Sequence, residues 1–292
     1  QWLRWPLDVC LPEAELFHAT EHLLPYLRRT PAVLTVHDLI FERLPQYHRI
    51  RNYLYLKAAM PLYCRRATAI IAISQATKAD LMALYGLPAE RITVIPEAAA
   101  PHFQPVSPER VARAQARYRL PARYILTVGT IEPRKNLTRL AQACGPLFQE
   151  GLADALVIVG ARGWLEGDLF RYLEGCPWRE RVLFPGYVAD DDLPAFYAGA
   201  AATAQPSLYE GFGLPVLEAM ACGSPVCASS ASSLPEVGGE AALYFDPLRP
   251  EEMTATLRRV LRDPALAETM RQQGLARAAR YSWDETARQT LA

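Results

Sequence analysis

Short apolar runs alternate with helical patterns along most of this 292-residue chain. A run of four or five apolar residues is typical of a buried strand, and parallel strands need a helix-length connection between them. Ten segments fit the strand pattern: residues 16–19, 33–36, 69–73, 92–95, 124–128, 155–159, 182–184, 201–204, 225–228 and 242–245. The alternation therefore predicts an α/β protein built on parallel sheets.

Helical periodicity fills many of the intervals between these strands. The predicted helices are residues 47–66, 75–84, 136–148, 191–197, 214–221, 250–261, 265–280 and 282–291. Ser74 stands at the N-cap position of the second helix. A proline-rich stretch at 96–105 lacks periodicity, which is typical of a linker between domains. The linker divides the chain into a first domain and a second, larger one.

Charge balance and cysteine spacing exclude several functional classes. The chain has 31 basic and 31 acidic residues, so we expect no general affinity for nucleic acid. The longest apolar stretches, such as 69–73, are too short to span a bilayer. The six cysteines form no Cys-x-x-Cys pair, so a zinc site is not indicated. A reduced, cytoplasmic protein is the simplest interpretation.

The segment 207–226 combines a strand end, a glycine loop and a short helix. Gly211 and Gly213 allow the backbone to approach a ligand closely. Free N–H groups at the helix start are suited to an anion. Glu218 falls about one turn into the helix, and Glu210 stands at the entrance of the loop. Two acids, a glycine loop and a helix N-terminus indicate a pocket for a polyhydroxylated, phosphorylated molecule.

A second constellation follows the predicted strand 124–128. Gly129 permits a tight exit from the strand, and Arg134 and Lys135 then place two cations near a helix start. Arginine grips phosphate oxygens in a bidentate fashion, and lysine adds a point charge. The alternative is a solvated Arg–Lys pair beside a turn. The pairing with segment 207–226 favours the phosphate role.

The string 207–226 resembles the E-x7-E motif of retaining GT-B glycosyltransferases of family 4, also called glycosyl transferases group 1. Segment 129–136 is similar to the element with which that family binds the donor diphosphate. The resemblance runs from about His37 to Trp283. It implies a GT-B fold, which is an α/β architecture of two Rossmann-like domains facing a cleft, with the ligand at the carboxyl ends of the strands.

The resemblance also implies a role for each matching residue. Arg134 and Lys135 would stabilise the departing diphosphate, and Glu210 would contact the donor sugar. Glu218 would bind the ribose hydroxyls, and His37 would face the cleft from the N-terminal domain. The expected catalytic residues are Glu210, His37, Arg134 and Lys135. The expected donor-binding residues are Gly129, Thr130, Gly186, Tyr187, Val188, Gly211, Phe212, Gly213, Leu214 and Glu218.

Three consecutive acids, Asp190, Asp191 and Asp192, suggest a metal-binding D-x-D pattern. They precede the predicted helix 191–197, however, and acids are favoured at helix starts. GT-B enzymes also generally transfer sugar without a bound metal. We therefore expect no metal ligands and a metal-independent reaction. Asp38, beside His37, either orients that histidine or caps the next turn.

Segment 36–48 looks most like mannosyltransferase members of the family, which points to GDP-mannose and leaves UDP-sugars open. The expected reaction moves a hexosyl unit from a nucleotide sugar to a hydroxyl of a glycan or lipid-linked acceptor, without any other cofactor. The basic residues between Arg49 and Arg66 are either a solvated face or a docking surface for an anionic membrane. The second interpretation implies peripheral contact at the inner face of the membrane.

The resemblance extends to the chain's boundaries. The chain begins without Met and without the strand and glycine-rich turn that usually open this family, so the N-terminal domain is expected to be incomplete. The expected domains are residues 1–106 and 107–280, followed by a helix at 281–292 that crosses back to the N-terminal domain. Ser282 would cap this helix and Trp283 would be its shielded apolar anchor. Two alternatives stay open: a non-catalytic nucleotide-sugar-binding or assembly subunit, and a GT-B epimerase or phosphorylase.

Overall fold

The structure, a computed structural model, describes residues 6–10, 13–163 and 167–292. The chain divides into two compact units. Unit 1 comprises Gln1–Pro96 and Thr286–Ala292, and unit 2 comprises Glu97–Glu285. The division falls at the first residue of the proline-rich stretch 96–105. Among the described residues, no helix combines the length and the apolar character that crossing a membrane requires.

Unit 1 is built on a four-stranded parallel sheet in the order β1-β2-β3-β4. Its strands are β1 (Phe17–Ala19), β2 (Ala32–Val36), β3 (Ala69–Ala72) and β4 (Ile92–Val94), and its first helices are α1 (Ile40–Arg43), α2 (Ile50–Arg66) and α3 (Gln75–Tyr85). Leu34 and Ile70 of the sheet pack with Met60 of α2 in a core that excludes solvent. Ser74 caps α3 as predicted, because its Oγ accepts a hydrogen bond from Thr77 N at 3.0 Å.

Unit 2 is built on a six-stranded parallel sheet in the order β10-β9-β8-β5-β6-β7. Its strands are β5 (Tyr124–Val128), β6 (Ala155–Val159), β7 (Val182–Gly186), β8 (Ala202–Gln205), β9 (Val226–Ser229) and β10 (Ala242–Phe245). This is the doubly wound Rossmann order, in which the first strand of the unit lies in the middle of the sheet. The strand order reverses between β5 and β8, and ligands of such sheets bind outside the carboxyl ends of the strands at that point.

Helices cover the sheet of unit 2. The helices of unit 2 are α4 (Pro108–Tyr118), α5 (Leu137–Gln149), α6 (Gly167–Glu174), α7 (Leu193–Gly199), α8 (Leu214–Ala221), α9 (Leu234–Gly238), α10 (Pro250–Arg262) and α11 (Pro264–Ala278). Helix α12 (Trp283–Leu291) begins in unit 2, and its residues from Thr286 onwards belong to unit 1. The β5–β6 pair packs on α5 through Ile125, Leu140 and Leu156, which are all fully buried. This rigid layer supports the loops that follow β5 and β8.

The ten predicted strands are present; three match the predicted bounds, and the ends of the others differ by one or two residues. The first predicted helix begins later than residue 47, because Pro45–Tyr47 form a 3-10 turn and Arg49 is extended. Four helices were not predicted: α1, α4, α6 and α9. Helix α4 carries the start signal of a Ser-Pro pair at Ser107 and Pro108, although few of its residues are buried.

The predicted cap of the last helix is confirmed, because Ser282 Oγ accepts a hydrogen bond from Glu285 N at 3.1 Å. Thr286 Oγ1 of the same helix donates to the carbonyl of Pro96 at 2.7 Å within unit 1. The expectation that Trp283 is a shielded anchor is wrong, since 43% of this residue is exposed. Hydrogen bonds of Ser282 and Thr286 thus fix the first turn of this helix.

Candidate active site

The two segments singled out in the sequence follow neighbouring strands. Residues 129–136 leave the carboxyl end of β5, and residues 206–213 leave the carboxyl end of β8. These are the two strands between which the order of the sheet reverses. The side chains of both loops therefore meet where a doubly wound sheet binds its ligand.

The loop after β5 is shaped by Gly129. Its φ of 144° lies in a region that L-residues rarely adopt, and a Cβ at this position would lie 3.2 Å from Cε of Lys135. Asn136, with φ of 58°, ends the turn and donates from Nδ2 to the carbonyls of Pro206 at 3.0 Å and Pro247 at 2.7 Å. These bonds tie the loop after β5 to the loops after β8 and β10.

Arg134, Lys135, Glu132 and Glu210 form an ion cluster across the two loops. Arg134 donates from Nη1 to Glu210 Oε2 at 2.6 Å and from Nη2 to Glu132 Oε1 at 2.5 Å. Lys135 Nζ lies 2.7 Å from Glu210 Oε1. The exposed fractions of these side chains range from 17% for Arg134 to 5% for Glu132. The two positive and two negative charges balance inside a site largely removed from water.

Glu210 has further polar neighbours. Its Oε1 accepts from Ser207 Oγ at 2.6 Å and from Gln205 Nε2 at 3.0 Å. Burial alone would raise the pKa of this carboxyl, but the charges of Lys135 and Arg134 more than offset burial and lower its pKa to about 2. Glu210 is therefore an anion throughout the neutral range, and it fixes the positions of both cations.

Residues of the loop after β9 hold the glycine loop in shape. Ser233 Oγ donates to the carbonyl of Phe212 at 2.7 Å, and Ser232 Oγ accepts from Glu210 N at 2.8 Å. Gly213, at the N-cap of α8, has φ of 111°, and a Cβ there would lie 2.7 Å from Cδ2 of Leu234. Any L-residue at position 213 would be strained by this φ at the start of α8, whose N-terminus favours an anion.

Glu218 lies on α8 and is partly buried. Its Oε2 accepts a hydrogen bond from the hydroxyl of Tyr197 on α7 at 2.7 Å. Burial raises the pKa of Glu218, and the Tyr197 hydrogen bond lowers it in part. The carboxylate is thus held on one oxygen by a fully buried phenol.

The remaining predicted donor-binding residues lie along the same edge of the sheet. Thr130 is exposed after β5, and Gly186 ends β7, where its carbonyl accepts from Gly160 N at 3.2 Å. Tyr187 is 77% exposed, whereas Val188 is buried. Backbone groups of this segment and the aromatic face of Tyr187 are the features that this edge presents.

His37 lies in unit 1, whereas the other predicted site residues lie in unit 2. It follows β2, and its Nε2 lies 2.9 Å from the carbonyl oxygen of Thr20. Its ring meets that of His22 edge to face, with 6.0 Å between centroids. Asp38 Oδ1 accepts from Ile40 N at 3.0 Å, so Asp38 caps the next turn, which is one of the two roles considered for it.

The acids at 190–192 stand before α7. Asp192 Oδ2 accepts from Arg117 at 2.9 Å and from Tyr118 at 2.8 Å, and the carbonyl of Asp191 accepts from Arg110 at 2.5 Å. The Asp192 carboxylate and the Asp191 carbonyl thus join α4 to the start of α7. Within ranges 6–10, 13–163 and 167–292, no three His, Cys, Asp or Glu residues converge in a way that could hold a metal ion.

Several residues of the site were not predicted from the sequence. Glu132, Gln205 and Ser207 complete the surroundings of the cations, and Tyr197 binds Glu218. The sequence gives a weak indication of a site role for Gln205 and Ser207, since they are polar residues at the end of an apolar strand. It gives none for Tyr197, because an aromatic residue in a helix is ordinarily part of the core.

Comparisons with known proteins agree with this architecture. The family model described as Glycosyl transferases group 1 matches residues 110–277, and the model described as Glycosyltransferase Family 4 matches residues 13–101. The O-antigen chain mannosyltransferase B of Escherichia coli is 35% identical over 278 residues, which cover 94% of this chain and 73% of that protein. The serotype-specific mannosyltransferase WbdA of Escherichia coli is 34% identical over 227 residues, covering 76% of this chain and 28% of that protein.

The structure of Alr3699/HepE from Anabaena, solved in complex with UDP and glucose, matches with a TM-score of 0.81 and 22% identity over 98% of this chain and 78% of that one. Two parallel α/β units with these similarities define a glycosyltransferase of the GT-B fold, as the sequence predicted. The chain belongs to the glycosyl transferases group 1, and the predicted resemblance to family 4 is confirmed.

Proposed function

We propose that this glycosyltransferase moves a hexosyl unit, specifically mannose, from a nucleotide sugar to a hydroxyl of a glycan or lipid-linked acceptor, with retention at the anomeric carbon. The ion cluster at the point where the sheet order reverses carries this proposal, since it holds two cations where a doubly wound sheet binds phosphate. The names of both Escherichia coli relatives support mannose as the sugar.

Arg134 and Lys135 are proposed to receive the departing diphosphate. Charge develops on that group as its bond to the sugar breaks, and donors already aimed at the charge lower the barrier without reorganising. Glu210 holds both cations in place in the resting protein. An arriving diphosphate is attracted by the positive charge of the same two cations.

The other predicted residues are assigned around the donor. Glu210 contacts the donor sugar, and Glu218 accepts from the ribose hydroxyls. Backbone N–H groups of residues 211–214 bind the sugar and phosphate, and residues 186–188 contact the base through the main chain. His37 is proposed to act from the acceptor side. Same-face attack, in which the acceptor hydroxyl approaches the side that the diphosphate leaves, accounts for retention.

A binding measurement tests the donor assignment. By isothermal calorimetry we expect GDP and GDP-mannose to bind more tightly than UDP and UDP-glucose, with the same affinities in excess chelator if the reaction is metal-independent. Glu218→Ala should weaken GDP binding about tenfold or more, because charge-assisted hydrogen bonds to the ribose are each worth about 1.5–3 kcal/mol.

Glu251→Ala is the matched control, since Glu251 is an exposed acid in the first turn of α10. It should bind nucleotide like the wild type. Equal affinity of Glu218→Ala and the wild type for GDP would contradict the ribose role. Tighter binding of UDP would replace GDP-mannose by a UDP-sugar, and loss of binding in chelator would refute metal independence.

We further propose peripheral contact between α2 and an anionic membrane that carries the acceptor, on its cytoplasmic face. Helix α2 contains no Asp or Glu. It exposes 65% of Ile50, 58% of Leu54 and 53% of Leu62. These residues are spaced four and eight positions apart, so they lie on one face of the helix. Arg51 and Arg65 are exposed on the same face. Aliphatic side chains beside arginines suit the boundary between anionic headgroups and acyl chains.

Vesicle flotation tests this surface. The wild type should float with vesicles of phosphatidylcholine and phosphatidylglycerol, and the double variant Arg51→Gln, Arg65→Gln should bind them roughly 30-fold more weakly, since each cation near the surface is worth about 1 kcal/mol. The variant Leu54→Gln, Leu62→Gln should also lose affinity. Leu248→Gln, which changes a leucine of unit 2 that is 61% exposed, is the control. If all variants bind the vesicles as tightly as the wild type, or if the wild type binds neutral vesicles as tightly as anionic ones, the proposed membrane contact is refuted.

A further inference from the structure

Fully buried Tyr197 and partly buried Glu218 form a hydrogen-bonded pair, in which the assignments above give no role to Tyr197. The side chain of Tyr197 is fully buried, and its hydroxyl donates to Glu218 Oε2 at 2.7 Å. Its ring packs edge to face on Phe103, with 6.0 Å between centroids. Helix α7 thus carries the phenol, and Phe103 packs against its ring. The position of the hydroxyl is set by the core of unit 2 and not by a flexible side chain.

This hydrogen bond determines which part of Glu218 faces a ligand. A carboxylate has two oxygens with about four lone-pair sites, and the phenol occupies one site on Oε2. Rotation of the carboxylate about its last bond would break this bond, so Oε1 keeps one orientation. Two vicinal ribose hydroxyls require an acceptor of fixed direction, because a misplaced acceptor bonds only one of them.

We infer that Tyr197 is a positioning residue that orients the Glu218 carboxylate toward the ribose of the donor nucleotide. The inference rests on the proposed ribose-binding role of Glu218. Tyr197 itself does not touch the nucleotide in this scheme, and it acts through the one hydrogen bond that it donates to Glu218.

The same hydrogen bond also affects the charge of Glu218. The ionisable groups around this carboxylate are the hydroxyl of Tyr197, Asp190 ahead of α7, Lys135 after β5 and the thiol of Cys222 at the end of α8. Burial raises the pKa of Glu218 and Asp190 adds to the rise, whereas the Tyr197 hydrogen bond and Lys135 lower it. Removing the hydroxyl therefore raises the pKa of Glu218. As the pH is lowered, the carboxylate of the variant is protonated at a higher pH than that of the wild type.

The test is Tyr197→Phe, which keeps the ring and removes only the hydroxyl. Calorimetry measures the affinity for GDP and for UDP as a function of pH. At neutral pH, the variant should bind whichever nucleotide the wild type prefers about tenfold more weakly than the wild type does. The pH below which binding is lost should move upward. An NMR titration of labelled glutamate carboxyl carbons, assigned with Glu218→Gln, should show a higher pKa for Glu218 in the variant without any nucleotide present.

Tyr124→Phe is the matched control. Tyr124 is also fully buried, and its hydroxyl donates to the carbonyl of Phe196 at 2.7 Å, so this variant loses a buried phenol that is not hydrogen-bonded to Glu218. It should keep the wild-type pH dependence of binding. The double variant Tyr197→Phe, Glu218→Ala should bind no more weakly than Glu218→Ala alone, because the two changes remove one interaction.

The outcomes separate this inference from the proposed function. If Glu218→Ala weakens nucleotide binding but Tyr197→Phe moves neither the affinity nor the pH limit, the positioning role is refuted and the ribose assignment stands. Additive losses in the double variant would also refute it. If the wild type binds neither GDP nor UDP, or if Glu218→Ala binds like the wild type, the proposed function fails and the inference fails with it.

Discussion

Lys135→Ala should lower kcat by about a hundredfold or more while the protein stays folded. Lys135 is one of two cations proposed to meet the departing diphosphate, and removing one preorganised donor of this kind typically costs about 10²–10³ in turnover. Its aliphatic chain lies over Gly129, and its ammonium group reaches Glu210 at 2.7 Å. The variant therefore loses both the charge and its fixed position. Steady-state kinetics with the donor identified by calorimetry measure the effect.

Nucleoside diphosphate binding should weaken at least tenfold in the same variant, and Arg134→Ala should behave alike. Lys78→Ala is the control, since Lys78 lies in unit 1 and its Nζ donates to the carbonyl of Ile92 at 2.7 Å. Thermal unfolding of each variant separates lost catalysis from lost folding. If Lys135→Ala and Arg134→Ala both retain wild-type affinity for GDP and UDP, the phosphate assignment is wrong.

The strands and most helices could be predicted from sequence because their apolar periodicity is local. The ion cluster could not, since Arg134 and Glu210 are separated by 76 residues and meet only because β5 and β8 are neighbours. Apolar runs show that strands exist but do not give their order in a sheet. The resemblance to family 4 supplied that missing information for the matching residues.

Residues that serve the site indirectly escaped the sequence analysis for a physical reason. Glu132 has the appearance of a solvated acid beside a turn, yet it is buried against Arg134. Tyr197 has the pattern of a core residue, and it is one, although its hydroxyl serves Glu218. Burial and hydrogen bonding of this kind arise from tertiary packing, which local periodicity does not encode. The error at Trp283 has the same origin, because an aromatic residue in an amphipathic helix is not necessarily shielded from solvent.

Glu210→Gln should destabilise the protein by about 3–5 kcal/mol at neutral pH, which is the usual cost of removing one partner from a buried ion cluster. The substitution keeps the shape of the side chain but leaves Arg134 and Lys135 with Glu132 as the remaining acid of the cluster. Chemical denaturation of the wild type and the variant measures the difference. Glu150→Gln is the control, because Glu150 also pairs with two arginines but is 27% exposed, and its loss should cost about 1 kcal/mol or less.

The pH dependence of this difference identifies its cause. The folded-state pKa of Glu210 is lowered from 4.5 to about 2, so its stabilising contribution is fully present above pH 4.5 and is lost as the pH falls towards 2. The gap in unfolding free energy between the wild type and Glu210→Gln should therefore be largest at neutral pH and should narrow across that acidic window. A gap independent of pH would show that packing, and not charge, explains the loss.

Activity gives the second half of the argument about Glu210. With one acid removed, the two cations still attract a diphosphate, so Glu210→Gln should bind GDP or UDP at least as tightly as the wild type. Turnover should nevertheless fall at least tenfold, because the cations are no longer fixed and the proposed contact to the donor sugar is altered. Since uncompensated cations also gain from any anion, added pyrophosphate should stabilise the variant more than the wild type. If the variant loses nucleotide affinity and turnover to the same extent, Glu210 does more than contact the reacting sugar and place the two cations.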